Sequence, residues 1–146
     1  PRLSVSSVTV RGANMSAKYV RDTFRSFLAG AAFPYVDTIN TPGNGKGDPI
    51  WFTYEFEAEY YEKDSFCNDF REVGVILVYC SGRPGRGDSA VIDAATDELK
   101  RLYGSSDPAG SLELTGILPI EEAVGGDADQ NYRVSFGLEY SYSVKL

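Results

Sequence analysis

Two pairs of glutamates are the candidates for general acid and base chemistry. Glu55 and Glu57 lie two residues apart in IWFTYEFEAEYY, whose alternating hydrophobicity predicts a strand, so both side chains share one face. A row of glutamates opposite an apolar strand face is usually a solvated surface. Glu121 and Glu122 are adjacent in a predicted acidic, glycine-rich loop, which gives them no catalytic geometry. Neither pair predicts an enzyme.

Two further motifs resemble ligand-binding loops only in part. Asp127 and Asp129 begin like a calcium loop, but the positions that follow do not continue the ligand pattern. The segment around Lys46 contains Gly-x-Gly-Lys-Gly, whereas a phosphate loop needs G-x-x-x-x-G-K-[ST] between a strand and a helix. The glycines and prolines of residues 37–49 predict an exposed loop there. A small-molecule or nucleotide-binding module is therefore the more remote alternative.

The chain has no histidine and only two cysteines, Cys67 and Cys80. Histidine is the usual general base near neutral pH and the commonest ligand of zinc, so most hydrolase mechanisms are disfavoured. The cysteines are too far apart for a C-x-x-C motif and are expected to be free thiols, with a disulfide as the less favoured alternative. We predict a protein that is not an enzyme and holds no metal or cofactor.

The charge and the hydropathy of the chain exclude two classes of partner. The net charge is −7, whereas proteins that grip nucleic acid usually carry a basic stripe. No apolar run approaches the roughly 20 residues that a membrane helix requires. The opening PRLSVSSVTV lacks the layout of a signal peptide. The sequence predicts a cytosolic protein without a membrane partner.

The elements that carry these residues begin with an extended segment and a helix. Residues 1–14 contain LSVSSVTV, which could be an edge strand or an arm that adds to the sheet of a neighbouring chain. Residues 15–146 form the single predicted domain. At its start, SAKYVRDTFRSFLAG places Val20, Phe24 and Leu28 on one helical face.

The remaining pattern predicts further strands and a second helix. Residues 50–61 and 70–80 form a hairpin, and the second of these strands is apolar on both sides, as in a central strand covered on two faces. A later short strand stops at Pro119. Residues 131–146 form a strand about twice the usual length, whose end is expected to project beyond the domain. We predict an α+β fold with an antiparallel or mixed sheet of about four to five strands and two helices packed on one face.

The tetrapeptide Arg86-Gly87-Asp88-Ser89 has the letters of a cell-adhesion ligand. Asp88 or Ser89 lies where the N-cap of the second helix belongs, so the Asp88 carboxylate would accept N–H groups of the first turn and meet the positive end of the helix dipole. We therefore interpret the tetrapeptide as a strand-to-helix turn. The apolar stripe predicted for this helix consists of Val91, Ile92, Ala95, Leu99 and Leu102.

The sequence has no catalytic constellation, but it has three segments that could lie at an exposed edge and pair with another chain. The extended first segment, the long loop and the long final strand could each present backbone hydrogen-bonding groups to another chain. These features predict assembly.

The stretch WFTYEFEAEYYEKDSF, then REVGVILVYCSGRPGRGDSAVIDAATDELKRLYG and YRVSFGLEYSY, resembles the tail terminator (tail completion) proteins of long-tailed bacteriophages. The shared order is a helix, a Trp-led strand, an Arg-Glu-x-Gly strand, a Gly-x-Gly-Asp turn into an Ala-rich helix, and a final strand with alternating tyrosines. The resemblance covers about residues 15–146, as one domain of this size allows.

The resemblance implies a virion structural protein made in the host cytoplasm and located at the head-proximal end of the tail. Such a subunit forms a homo-oligomeric ring, a hexamer in the family, and a ring is a closed heterologous assembly. The ring ends polymerisation of the tube built by the major tail tube protein and joins the tail to the head-tail connector or stopper protein. Double-stranded DNA passes through its lumen without specific binding.

The resemblance also directs attention to particular residues. Candidates for the assembly interface are Arg71, Glu72, Arg83, Arg86 and Asp88. The two arginines of the turn could pair with carboxylates of a neighbour, although ordinary surface charge is the default.

The acidic row Glu55, Glu57 and Glu59 is the candidate for a lumen-facing surface that repels DNA. Alternatives to a terminator are another head-tail joining protein, such as a connector stopper, or a tube-like subunit.

Overall fold

The fold is seen in a computed structural model that describes residues 7–9, 18–36, 50–63, 69–82, 88–122 and 132–145. A short 3-10 turn, Leu28–Gly30, follows the first helix directly. The helices and strands of the described residues are β1 Ser7–Thr9, α1 Lys18–Phe27, β2 Ile50–Lys63, β3 Asp69–Gly82, α2 Asp88–Tyr103, β4 Leu112–Glu122 and β5 Tyr132–Lys145.

The strands form one sheet in the order β1-β2-β3-β5-β4, and every neighbouring pair is antiparallel. The predicted hairpin of β2 and β3 is confirmed. The predicted projection of the last strand is wrong, because β5 pairs with β3 over its whole length, from Tyr132 opposite Gly82 to Lys145 opposite Asp69. Since β3 is as long as β5, neither strand extends beyond the other, and β5 is an interior strand.

Both helices pack on the same face of the sheet, which confirms the α+β prediction. Val20 and Phe24 of α1 join Val91 and Leu102 of α2 in one buried cluster with the sheet. These side chains recur at helical spacing, so each helix turns a continuous apolar stripe toward the sheet. The sheet contributes to this cluster Ile50, Phe52, Ile76, Val78, Cys80, Leu112, Val134, Phe136, Leu138 and Tyr140.

No helix among the described residues covers the opposite face of the sheet, which we call the helix-free face. Burial of β3 on this face is partial: Ser81 is 2% exposed and lies opposite Trp51, which is 9% exposed. Val75 is 7% exposed there, but Val73, Leu77 and Tyr79 of the same strand face are only half-buried.

Helix α2 spans Asp88–Tyr103, so it begins one residue earlier than an N-cap at Asp88 implies and two earlier than an N-cap at Ser89 implies. The N–H of Gly104 donates to the carbonyl oxygen of Lys100 over 3.1 Å, which closes the last turn. One member of the predicted apolar stripe is wrong, because Ile92 is 39% exposed.

Strand β4 is an edge strand that continues through Pro119 to Glu122, so the predicted stop is wrong. Proline is tolerated at a sheet edge because its missing N–H removes no bond to a partner strand. The register against β5 also shifts between Leu118 and Glu121, which is an irregularity of the kind that proline tolerates. Glu121 and Glu122 consequently lie on a strand rather than in a loop.

Candidate assembly surfaces

The Arg-Glu-x-Gly segment of β3 separates into one exposed and two buried residues. Arg71 is exposed, whereas Glu72 has no exposed surface. The hydroxyl of Tyr140 on β5 donates to Oε2 of Glu72 over 2.5 Å. A fully buried carboxylate cannot contact another chain, so the assignment of Glu72 to an assembly interface is corrected: it is a core group held by a tyrosine.

Gly74 makes room for this buried hydrogen bond. A Cβ atom at Gly74 would lie 2.7 Å from the hydroxyl oxygen of Tyr140 and 2.5 Å from the carbonyl oxygen of Glu57. Atoms at these distances clash, so only glycine lets β2 and the Tyr140 ring approach β3 this closely. Glu72 and Gly74 of the Arg-Glu-x-Gly segment thus serve the packing of the core.

A bulge in β2 places Tyr61, instead of Tyr60, opposite Glu72. Ala58 is opposite Gly74 and Tyr60 is opposite Val73, so Glu59 is an extra residue without a partner position on β3. Tyr61 is therefore paired with Glu72. Burial, followed by the charge and hydrogen bond of Glu72, raises the pKa of Tyr61 to about 12.

The predicted acidic row lies on the helix-free face only in part. Glu55, Glu57 and Glu59 are all exposed. Glu55 accepts a hydrogen bond of 2.8 Å from the hydroxyl of Tyr79, whose ring carries the guanidinium carbon of Arg133 at 4.7 Å from its centroid. Because Glu59 is the bulge residue, the alternation that placed it in one row with Glu55 and Glu57 is interrupted.

The glycine-rich turn before α2 is mostly outside the described residues, and this includes Arg83 and Arg86. Asp88 is the first residue of α2, but its side chain does not belong to the described part of the structure. The roles predicted for these three residues stay predictions. The loop of residues 37–49 and Cys67 also lie outside the described part.

A buried ionic network between the helices was missed by the sequence reasoning. Glu98 of α2 is 3% exposed and accepts two hydrogen bonds from the Arg101 guanidinium, of 2.7 and 2.8 Å. The Tyr35 hydroxyl also donates to Glu98, and Arg101 donates to the carbonyl oxygen of Phe27 at the end of α1 over 2.7 Å. The network ties the end of α1 to α2. Its signal was available, because Glu98 occupies a position of the apolar stripe between Ala95 and Leu102.

Cys80 belongs to the same buried region. It is a free cysteine with no exposed surface, and its thiol donates to the carbonyl oxygen of Val91 over 3.6 Å. Burial, and to a lesser degree the charge of Glu98, raises the pKa of the Cys80 thiol to about 12. A thiol in this state is a poor nucleophile at neutral pH.

Asp107 anchors the turn between α2 and β4 to α1. Its carboxylate accepts hydrogen bonds from the Tyr19 hydroxyl over 2.7 Å and from the backbone N–H of Leu112 over 3.0 Å. It also accepts from the N–H groups of Ala109 and Ser111, each over 3.1 Å. Burial works against ionisation, but the donors outweigh it and hold the pKa of Asp107 below its usual value.

The edge strand β4 carries the most prominent exposed apolar side chains of the described sheet. Ile117 is 42% exposed and Leu118 is 39% exposed. Three glutamates of the same strand, Glu113, Glu121 and Glu122, are exposed as well. We refer to these five residues of β4 as the β4 edge surface.

The described residues contain no group of three or more side chains suited to holding a metal ion. None of the described helices is long and apolar enough to cross a lipid bilayer. The fold and its side chains define an α+β protein with one antiparallel sheet, in which the buried carboxylates Glu72 and Glu98 serve packing. Compared with models of protein families and with curated proteins, the chain matches none.

Proposed function

We propose that this chain is a bacteriophage tail terminator subunit that assembles into a ring at the head-proximal end of the tail tube. The ring ends tube polymerisation and joins the tail to the connector. One observation carries the proposal: the Trp-led β2, the Arg-Glu-x-Gly β3, the Ala-rich α2 and the tyrosine-rich β5 follow one another in the order that the family resemblance requires.

The hydrogen bonds of the buried and half-buried carboxylates favour a scaffold over an enzyme. Glu72 and Glu98 are buried and Asp107 is half-buried, and each accepts a hydrogen bond from a tyrosine of another part of the chain: Tyr140, Tyr35 and Tyr19, in that order. Carboxylates used in this way stabilise packing and are not placed for proton transfer to a substrate.

The lumen hypothesis is retained within this proposal. Glu55 and Glu57 project from the helix-free face, and like charge would keep a DNA duplex from adhering to that surface during passage. The test is a Glu55→Lys, Glu57→Lys variant in the virion, which we expect to slow genome ejection. A variant of matched charge on the outer side of α2, Asp93→Lys with Asp97→Lys, is the control. Unaltered ejection in the first variant contradicts the lumen hypothesis without affecting the ring.

The proposed function is tested by removing the gene from the phage or prophage that encodes it. Loss of a terminator leaves tube growth without a stop, so negative-stain images should show tubes longer than normal that lack heads. Tails of normal length beside heads that lose their DNA would instead identify a connector stopper. Absence of any tail would identify a tube-like subunit.

A further inference from the structure

The β4 edge surface has properties of a contact site. Between Leu112 and Glu122 the strand has three glutamates and no lysine or arginine, so its charge is −3. None of these glutamates makes an ion pair or a hydrogen bond with another described side chain. Leu118 is 39% exposed and lies opposite Gly137, so it shares the helix-free face with Glu113 and Glu121, which lie opposite Ser141 and Ser135. Ile117, 42% exposed, and Glu122 point to the other face of the strand. An apolar centre with a charged rim is the usual composition of a protein interface.

Helix α1 carries a surface of the opposite charge. Val20 and Phe24 turn one side of the helix into the core, which leaves Lys18, Asp22 and Arg25 facing outward. The side chains of Lys18 and Arg25 are 82% and 62% exposed, and both pair with Asp22, over 2.5 and 3.4 Å. With Arg21, the helix has three cations against one anion, so its net charge is +2. We call the exposed Lys18 and Arg25, together with the half-buried Arg21, the α1 basic surface.

We propose that the β4 edge surface of one copy binds the α1 basic surface of the next copy, which rests on the proposed ring. No ion pair among the described residues joins the two surfaces within one chain. One surface lies at a sheet edge and the other faces away from the sheet. A contact between two different patches is heterologous, and repetition of a heterologous contact gives a closed ring when the rotation between copies allows it.

The contact uses side chains and does not extend the sheet from one copy into the next. The register of β4 shifts between Leu114 and Gly116 and again between Leu118 and Glu121, and Pro119 has no N–H to donate. Bulges, proline and charge are the devices that prevent one sheet edge from pairing with another. The exposed aliphatic side chains and the glutamates are left as the groups that a neighbour can reach.

The experiment is a charge exchange in the full chain, followed by analytical ultracentrifugation from micromolar to millimolar concentration. The β4 variant is Glu113→Lys with Glu121→Lys, and the α1 variant is Lys18→Glu with Arg25→Glu. Each variant places like charges across the contact, so we expect at least a tenfold loss of association at low salt. Because these charges are exposed, the loss should shrink at high salt, where the Debye length falls from about 10 Å at 0.1 M to about 3 Å at 1 M.

Restoration of the contact separates this proposal from simple damage. A mixture of the two variants, or one chain with all four substitutions, again has opposite charges across the contact and should associate like the unmodified protein. The matched control Asp93→Lys with Asp97→Lys changes the net charge as much as the β4 variant and should leave association unchanged. Circular dichroism establishes that each variant is folded.

Three results would overturn the inference. Association that neither variant weakens means that the β4 glutamates only protect a sheet edge. Weakened association that the mixture does not restore means that the two surfaces do not meet. A chain that stays monomeric at every concentration, even with tail tubes added, has no such contact. The first two results leave the ring and the terminator role standing, and only the tail-length experiment tests that role directly.

Discussion

Replacement of Gly74 by alanine tests whether the Arg-Glu-x-Gly segment serves the core. The new methyl group would lie 2.5 Å from the Glu57 carbonyl oxygen and 2.7 Å from the Tyr140 hydroxyl. Forcing a methyl group into a packed core costs about 1–3 kcal/mol. Loss of a hydrogen bond to a charged group costs about 1.5–3 kcal/mol more. Alanine in a strand regains about 0.5–1 kcal/mol over glycine. The expected net loss in the free energy of unfolding is therefore about 3 kcal/mol.

The assay is urea unfolding followed by the fluorescence of Trp51, the only tryptophan, which is 9% exposed in the native state. For a domain of this size, a loss of about 3 kcal/mol corresponds to a fall in Tm of about 6–12 °C. Gly116→Ala is the matched control, because its new methyl group would meet only the end of the Glu139 side chain, which can rotate away. We expect that variant to stay within about 1 kcal/mol of the unmodified protein. Equal stability of the two variants would refute the packing role of Gly74.

Three further predictions concern single groups. Asp107→Ala should lower the free energy of unfolding by about 2 kcal/mol. Because the pKa of Asp107 is lower in the folded protein than in the unfolded chain, its contribution is present above about pH 4 and is lost as the pH falls through the folded pKa. The urea midpoint of the variant should therefore change less between neutral and acidic pH than that of the unmodified protein. In a Cys67→Ser variant, Cys80 should not react with a disulfide reagent at pH 8 until the protein is unfolded; rapid reaction of the native protein would contradict its burial. Burial raises the pKa of Tyr61 and Tyr79 to about 12, so their stabilising contribution is full below about pH 10 and is lost as the pH rises toward 12; the part of the tyrosinate absorbance that a Tyr61→Phe, Tyr79→Phe variant lacks should therefore appear only together with alkaline unfolding, and its appearance near pH 10 in the folded protein would contradict this.

The sequence predicted the elements well, because each has a clear period. The helical stripe through Val20 and Phe24 and the alternation along β2 follow from burial of one face, which any packing of these elements requires. The start of α2 was predicted to within one or two residues from local rules for helix ends, which do not depend on the rest of the fold.

The strand order and the buried polar groups were not predictable in the same way. The long β5 was expected to be an exposed edge, but the chain inserts it between β3 and β4, and the edge is β4 instead. Local pattern does not encode which strand lies at an edge. Glu72 was assigned to an assembly interface with the Arg-Glu-x-Gly segment of the resemblance, and its burial could not be foreseen because the tyrosine that donates to it lies on β5, 68 positions away in the sequence. The bulge at Glu59 likewise depends on the register against β3.

The most direct test of the central claim, that this chain ends a polymerising tail tube, uses the purified protein and the purified major tail tube protein of the same phage. The length of the tubes is measured by electron microscopy at increasing ratios of the two proteins. A subunit that occupies the growing end should shorten the tubes in proportion to the amount added and should form a ring at one end of each. Tubes of unchanged length, with no density at either end, would contradict the account.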